Sequence, residues 1–206
     1  MFNIALPKGR LADKTCGLLK QVGIDTDKVT ADTRQLVIKD EKTGIQYFMV
    51  KPSDVSIYVE YGVADIGVVG KDILLENNPD VYELLDLGLG KCKVVVAGRE
   101  NFYEDKERPL RVATKFVNIA KDYYASINRE IEIIKLNGSI ELAPILNMSD
   151  VIVDLVETGT TLRENKLKVI TEIIPISARL IANKSKFKFK EKEIRALISQ
   201  LAEVIK

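Results

Sequence analysis

The chain predicts an α/β fold in two lobes, and three observations carry that prediction. Apolar runs of strand length alternate with runs whose apolar residues recur at helical spacing. Several strand runs, Val94-Val95-Val96 among them, are apolar without a break, the pattern of a sheet covered on both faces. The alternation pauses once, in the polar, turn-rich stretch 99–109, and then a second series begins. A length of 206 residues, against the usual ~150 per domain, allows one large domain or two small lobes with a real core.

Taken in order, a strand over 2–6 is stopped by Pro7-Lys8-Gly9-Arg10, after which Leu11, Thr15, Leu18, Leu19 and Val22 fall at helical spacing. Strand-like runs over 35–40 and 46–50 flank a hairpin-like turn at Glu41-Lys42-Thr43-Gly44. Ser53 is placed to cap a helix that reaches Tyr61 and closes at Gly62, ahead of a buried strand over 64–70. A helix over 71–77 and strands over 81–87 and 93–97 follow. The second series reads as strand 110–114, helix 117–128, strand 131–136, helix 139–146, strand 151–156 and a helix opening near Thr160. The chain returns through 168–177 and 179–183 to an amphipathic helix marked by Ile194, Leu197, Ile198, Leu201 and Ile205. The parse assigns 1–92 with 180–206 to the first lobe and 93–179 to the second. No repeat, low-complexity tract or Gly/Ser linker interrupts it, so the lobes are expected to share crossing strands and to meet at a cleft.

Composition excludes several classes of function. Lys and Arg number 31 against 30 Asp and Glu, a net charge of +1, without the basic excess of backbone-driven nucleic-acid binding. Any anion site is therefore local. There is no His, which excludes a Ser-His-Asp triad, a Cys-His pair and His-dependent zinc. Catalysis is left to carboxylates, Lys, Arg, backbone amides or a bound ion. Cys16 and Cys92 stand in no metal-ligand pattern and point to a reducing compartment. No stretch approaches the ~20 apolar residues of a membrane span, and no basic segment leads an apolar one at the N-terminus, so a cytoplasmic, membrane-free location is expected.

The richest stretch is Val151-Ile152-Val153-Asp154-Leu155-Val156-Glu157-Thr158-Gly159-Thr160-Thr161-Leu162-Arg163. An apolar strand runs into a turn with one Gly and three Thr, and a helix follows. Unpaired N–H groups and the positive end of the dipole favour a phosphate at such a start, Gly159 permits close approach, and the hydroxyls of Thr158, Thr160 and Thr161 add donors. Asp154 and Glu157 flank the loop, where carboxylates accept bonds from sugar hydroxyls or hold Mg²⁺. Phosphate plus vicinal diol points to a ribose 5-phosphate. The competing reading is a helix merely N-capped by Thr158 or Thr160.

This stretch, together with Asn137-Gly138-Ser139-Ile140-Glu141-Leu142-Ala143-Pro144 and Leu6-Pro7-Lys8-Gly9-Arg10-Leu11, closely resembles the ATP phosphoribosyltransferases of histidine biosynthesis. Further matching blocks are Lys51-Pro52-Ser53-Asp54-Val55, Tyr58 to Gly67, Gly70-Lys71-Asp72, Asp86-Leu87-Gly88, Gly90-Lys91-Cys92 and Arg111-Val112-Ala113-Thr114-Lys115, so that the resemblance spans essentially the whole chain. The sequence ends soon after Ile176-Ser177-Ala178-Arg179-Leu180, as in the family's short form, which lacks a regulatory domain.

The resemblance implies a type II periplasmic-binding-protein-like fold with the active site in the inter-lobe cleft. It implies transfer of the phosphoribosyl group of phosphoribosyl pyrophosphate (PRPP) to N1 of the ATP adenine, with release of pyrophosphate and a requirement for Mg²⁺. It also implies a regulatory subunit similar to histidyl-tRNA synthetase, in a hetero-oligomer expected to be a hetero-octamer containing homodimers of the catalytic subunit. Carried over by motif, Glu157, Thr158, Gly159, Thr160 and Thr161 hold the 5-phosphate and Asp154 the ribose hydroxyls. Glu141 helps to orient ribose or metal. Lys8, Arg10, Arg34 and Lys51 meet the pyrophosphate and the ATP phosphates, with Lys8, Arg10 and Glu141 the catalytic set. Asp72 is a weaker ATP-site candidate, and it and Asp65 could instead cap the next helix. Mg²⁺ is expected mainly through substrate, with Asp154 or Glu141 as protein ligand. Three positions depart from the family: Lys51 where Arg is common, Ser56 where Pro is common, and Lys166 where Gly is common. Lys51 keeps the charge but not the bidentate fork.

Two other functions fit part of the pattern. A cleft-binding protein without chemistry would share the fold, but has no need of a sugar-phosphate loop and a cationic first-lobe loop together. Another phosphoribosyltransferase class would carry two adjacent acids at the strand end, where here Asp154 is followed by Leu155.

Overall fold

A computed structural model describes residues 2–29 and 35–205. The chain begins with strand β1 (Asn3–Pro7), and Gly9, at φ 96°, turns it into helix α1 (Arg10–Gln21), which buries Ala12, Thr15, Cys16, Leu18 and Leu19 along one side. Strands β2 (Val37–Lys39) and β3 (Gln46–Val50), helix α2 (Val55–Glu60), strand β4 (Ile66–Gly70), helix α3 (Lys71–Asn77) and strand β5 (Val81–Asp86) follow. Then come β6 (Cys92–Arg99), β7 (Leu110–Thr114), α4 (Val117–Ser126), β8 (Ile131–Lys135), α5 (Leu142–Ile145), β9 (Val151–Val156), α6 (Thr160–Glu164) and β10 (Leu167–Ile176). The chain closes with β11 (Ala178–Asn183), α7 (Lys184–Phe189) and α8 (Glu191–Val204).

Two compact units result, one of Met1–Leu74, Asn78–Gly90 and Ser177–Lys206, the other of Leu75–Asn77 and Lys91–Ile176. The first is built on a sheet of order β2-β3-β1-β4-β11-β5, in which β3, β1 and β4 are parallel and β11 runs against β4 and β5. The second has order β10-β6-β9-β7-β8, with β9, β7 and β8 parallel and β6 antiparallel to β9 and β10. The second unit is nearly one continuous stretch, and its first and last strands pair, Cys92 opposite Ile176. At the same point in the first unit the Ala178 N–H donates to Leu89 O at 2.8 Å.

In the first unit α8 lays Ile194, Leu197 and Leu201 onto the core, each burial worth about 2 kcal/mol. Helix α2 lies so close on β4 that a Cβ at Gly67 would come within 2.8 Å of Val59 and 2.9 Å of Val55. Asn183 caps α7 by accepting from Lys186 N–H, and its amide donates to Val59 O and Glu60 O at 2.9 Å, binding α7 to α2. Asp65 caps no helix: it accepts from Asn3 N–H and Lys190 Nζ, each at 2.7 Å, and so fastens β1 to the C-terminal segment.

In the second unit Asp150 anchors the start of β9. It accepts from Arg108 at 2.8 and 3.0 Å, from Arg111 Nη2 at 2.8 Å and from the Arg111 N–H at 2.9 Å. Arg108 first and Arg111 with it hold the Asp150 carboxyl well below the usual range, against the opposing effect of burial. A carboxyl depressed in the folded state stabilises at every pH above its ordinary value of 3.8, and that contribution is lost as pH falls below it. Asp150→Asn is therefore expected to cost about 2 kcal/mol at pH 7. In thermal melts the gap to the parent should close only in strong acid; a constant gap would contradict the ionic origin.

Several sequence expectations shift in detail. Ser53 does not cap α2; a 3-10 turn (Pro52–Asp54) precedes the helix and the Ser53 hydroxyl donates to Asp54 at 2.7 Å. The helix expected over 139–146 is the single turn α5, because Ser139 takes a left-handed φ of 48° and Glu141 is the residue that opens the turn. Helix α7 was not expected. Lys166, where the family favours Gly, has φ 54°, so the familial Gly suits a left-handed position. Ser56 Oγ is buried without a hydrogen-bond partner among the described residues, at the position where the family favours Pro. Neither cysteine is in a disulfide. No helix among the described residues is long and apolar enough to cross a membrane.

Candidate active site

Strand β9 carries its buried residues Val151, Ile152 and Val153 through the middle of the second sheet, and Asp154 lies where that strand approaches its carboxyl end. The alternation of faces puts Ile152 in the cluster under α5 and α6, with Ile140, Ala143 and Leu162, so Asp154 emerges on that same face. Leu162, 4% exposed, roots α6 in the cluster and leaves Thr160 and Thr161 exposed beside it.

The turn is shaped by Gly159, whose φ of 73° lies in the left-handed region. Thr158 Oγ1 and Thr160 Oγ1 lie 3.1 Å apart, and Asn165 Nδ2 donates to Thr161 O at 2.9 Å. Arg163 straps the turn from outside: Nη1 donates to Thr158 O at 3.0 Å and Nη2 to Thr160 Oγ1 at 3.1 Å.

The result is a cavity of about 260 Å³ lined by Glu141, Asp154 and residues 155–162. It brings together Glu141, Asp154, Glu157, Thr158, Gly159, Thr160 and Thr161, all chosen from the sequence. Its size is below the ~300–1,000 Å³ of drug-sized ligand sites and suits a sugar phosphate better than a nucleotide. The lining holds three carboxylates and no Lys or Arg, so an anion there meets N–H and hydroxyl groups and needs a cation from elsewhere. Burial pushes the Asp154 carboxyl up and the Glu141 charge adds to this, while a bond from Leu155 N–H and the Lys115 charge oppose it. Across the turn, a second cavity of about 550 Å³ is lined on its far side by Arg163, Lys93, Glu100, Lys168 and Glu172.

The remaining sequence candidates among the described residues lie in the first unit. Pro7 pairs with Val50, so Lys8 and Lys51 are the residues directly beyond the carboxyl ends of adjacent parallel strands β1 and β3. Arg10 opens α1. Asp72, in the first turn of α3 beyond β4, is buried, and its carboxylate lies where a Cβ on Gly70 would be, at 2.1 Å. Arg34 lies outside the described residues. Sequence reasoning missed Arg163, whose only signal is its spacing from Thr160, and Lys115, whose nearness to Asp154 depends on strand pairing.

A family model described as HisG: ATP phosphoribosyltransferase matches residues 51–203. The chain is 62% identical over 206 residues to the ATP phosphoribosyltransferase of Brachyspira hyodysenteriae, covering 100% of both. It is 52% identical over 205 residues to that of Caldanaerobacter subterraneus subsp. tengcongensis, covering 100% of this chain and 98% of the relative. Among solved structures it is similar to a chain of the ATP phosphoribosyl transferase (HisG:HisZ) complex from Thermotoga maritima, with TM-score 0.85, 36% identity and coverage of 100% and 98%. The Escherichia coli periplasmic aliphatic sulphonate binding protein SsuA shares the fold alone, with TM-score 0.62 and 13% identity over 99% of this chain and 72% of that one.

Proposed function

The chain belongs to the HisG family of ATP phosphoribosyltransferases, and from that membership we propose that its reaction uses the cavity at the carboxyl end of β9. The activity is transfer of the phosphoribosyl group of PRPP to N1 of the ATP adenine, giving N1-(5-phosphoribosyl)-ATP and pyrophosphate, the first step of histidine biosynthesis. The observation that supports the site is one cavity walled by Glu141, Asp154 and the whole 157–161 turn.

In this reading the 5-phosphate sits on the N–H and hydroxyl groups of Thr158, Gly159, Thr160 and Thr161, with Glu157 at its flank. Asp154 accepts the ribose hydroxyls, and Glu141 orients the ring. Lys8, Arg10, Lys51 and Arg34 supply positive charge for the ATP phosphates and the departing pyrophosphate, with Asp72 the weaker ATP-site candidate. Adenine N1 brings its own lone pair, so the C1–N1 bond forms as the C1–O bond breaks and pyrophosphate leaves with the electron pair. The protein's task is alignment and stabilisation of separating charge, which needs no His.

Mg²⁺ fits on limited terms. No group of three or more acidic or sulfur side chains among the described residues is arranged to hold a metal, while Asp154 and Glu141 are close enough for one charge to raise the other's carboxyl. One or two carboxylates with substrate phosphates is the usual magnesium arrangement. Bound in that way the ion would neutralise phosphate charge. A histidyl-tRNA-synthetase-like regulatory partner is supported by the HisG:HisZ complex of the Thermotoga maritima neighbour. We extend it to a hetero-octamer holding catalytic homodimers, acting in the cytoplasm.

The test is a turnover assay with ATP, PRPP and Mg²⁺, following the adenine absorbance change, on the chain alone and with such a partner. Arg10→Ala and Thr161→Val are each expected to lower turnover by about tenfold or more with melting temperatures unchanged. Folded variants with the parent's turnover would overturn the site, and tight binding without turnover would favour a pure binding role.

A further inference from the structure

We propose that Lys115 is a further substrate-contacting residue, its ammonium meeting the diphosphate of PRPP at the edge of the cavity walled by Asp154 and Glu141. The inference rests on the cavity being the PRPP site.

Strands β7 and β9 run parallel with Thr114 opposite Val153, so Asp154 is the next residue of β9 while Lys115 is the first residue beyond the carboxyl end of β7. Ligands of open α/β sheets collect at this carboxyl edge. Ala113 and Ile152, two residues earlier, lie in one cluster beneath α5 and α6, and the two-residue period carries Asp154 to that same face, while Lys115 follows directly on the end of β7. Thr114 makes the edge rigid. It is fully buried, its hydroxyl donates to Val153 O at 2.7 Å, and it accepts from Phe116 N–H at 2.8 Å.

Lys115 itself is exposed, with its ammonium 4.6 Å from the Phe116 ring centroid, and it makes no hydrogen bond or ion pair with any described residue. Its charge is nonetheless felt by Asp154, where it offsets part of what burial and Glu141 do. The cavity needs such a group. Three carboxylates and no cation line a space meant for a heavily anionic substrate. The position selects the diphosphate: the 5-phosphate belongs to the 157–161 turn, whereas Lys115 stands beside Asp154 at the ribose, whose C1 bears the diphosphate.

The experiment is calorimetric titration of the full chain with PRPP, inorganic pyrophosphate and ribose 5-phosphate, each with Mg²⁺, alongside steady-state kinetics. Lys115→Gln is expected to weaken PRPP and pyrophosphate by about tenfold or more and to raise the PRPP KM to match. Ribose 5-phosphate affinity, the ATP KM and the melting temperature should stay unchanged, and Lys115→Arg should restore most of the loss. Thr161→Val should show the reverse, losing ribose 5-phosphate. Parent-like PRPP and pyrophosphate binding by Lys115→Gln, with Thr161→Val impaired, overturns the role of Lys115 alone. Equal weakening of pyrophosphate and ribose 5-phosphate overturns the diphosphate placement. Parent-like ribose 5-phosphate binding by Thr161→Val overturns the cavity assignment beneath it.

Discussion

Asp154→Asn is expected to lower kcat/KM for PRPP about a hundredfold while raising the melting temperature. The two effects have one cause. Asp154 is taken partly out of water beside another carboxylate, Glu141, so burial first and that charge second push its carboxyl up. A carboxyl raised on folding costs stability when ionised, and the cost grows as pH rises from the ordinary 3.8 through the raised value. Asn removes the charge but keeps an oxygen to accept the Leu155 N–H, now bonded at 2.8 Å. For a chain of this size each kcal/mol recovered shifts the melt by roughly 2–4 °C. Calorimetry at pH 7 should show the variant above the parent, with the gap narrowing as pH falls and the parent's own carboxyl takes up its proton. Activity is lost because an amide cannot accept two ribose hydroxyls as a carboxylate does. A variant that melts lower would mean that Asp154 is a structural ion, and full activity would remove it from the ribose.

Gly159→Val is the second large effect, and it acts through backbone geometry. The left-handed φ of 73° is comfortable for Gly and strained for a β-branched residue by about 1–3 kcal/mol. The new Cβ would also stand 3.3 Å from Arg163 Nη1, the group that clamps Thr158 O. The turn is expected to relax away from its present path, redirecting the N–H groups of Thr160 and Thr161. KM for PRPP should rise by about two orders of magnitude. Gly159→Ala should lie between variant and parent, and both should keep their circular dichroism because the turn is on the surface. A parent-like KM in Gly159→Val would show that the turn's conformation does not set phosphate affinity.

What the sequence discloses depends on how local the cause is. The strands Leu110–Thr114 and Val151–Val156 and the helix Lys71–Asn77 have the expected bounds, because their apolar runs and flanking turn residues are contiguous. Helix α7 escaped because Lys-Ser-Lys-Phe-Lys-Phe alternates like a strand, and the cap that starts it, Asn183, is the last residue of a strand fixed by α2. The 139–146 helix was too long because the local pattern does not reveal the left-handed turn at Ser139. The same division holds at the site. The 157–161 turn was legible as a motif, and the resemblance added Glu141. Lys115 and Asp154 are separated by 39 positions in sequence and become neighbours only through the register of β7 on β9.

The pairing of Cys92 with Ile176, and of Leu89 with Ala178 beside it, has a consequence for how such a chain can be recombined. The stretch between those two points leaves and re-enters its host at neighbouring backbone positions. Apart from the short Leu75–Asn77 segment, it behaves as a guest inserted in a host whose own sheet remains stitched on either side. Those two junctions bound all of the second unit but Leu75–Asn77, whose Glu76 accepts from the Asn118 and Ile119 N–H groups, so an exchange with a relative takes that segment along as well, and neither junction cuts a parallel ladder. An exchange made at these seams leaves whole the sheet whose strands end just before Lys8 and Lys51.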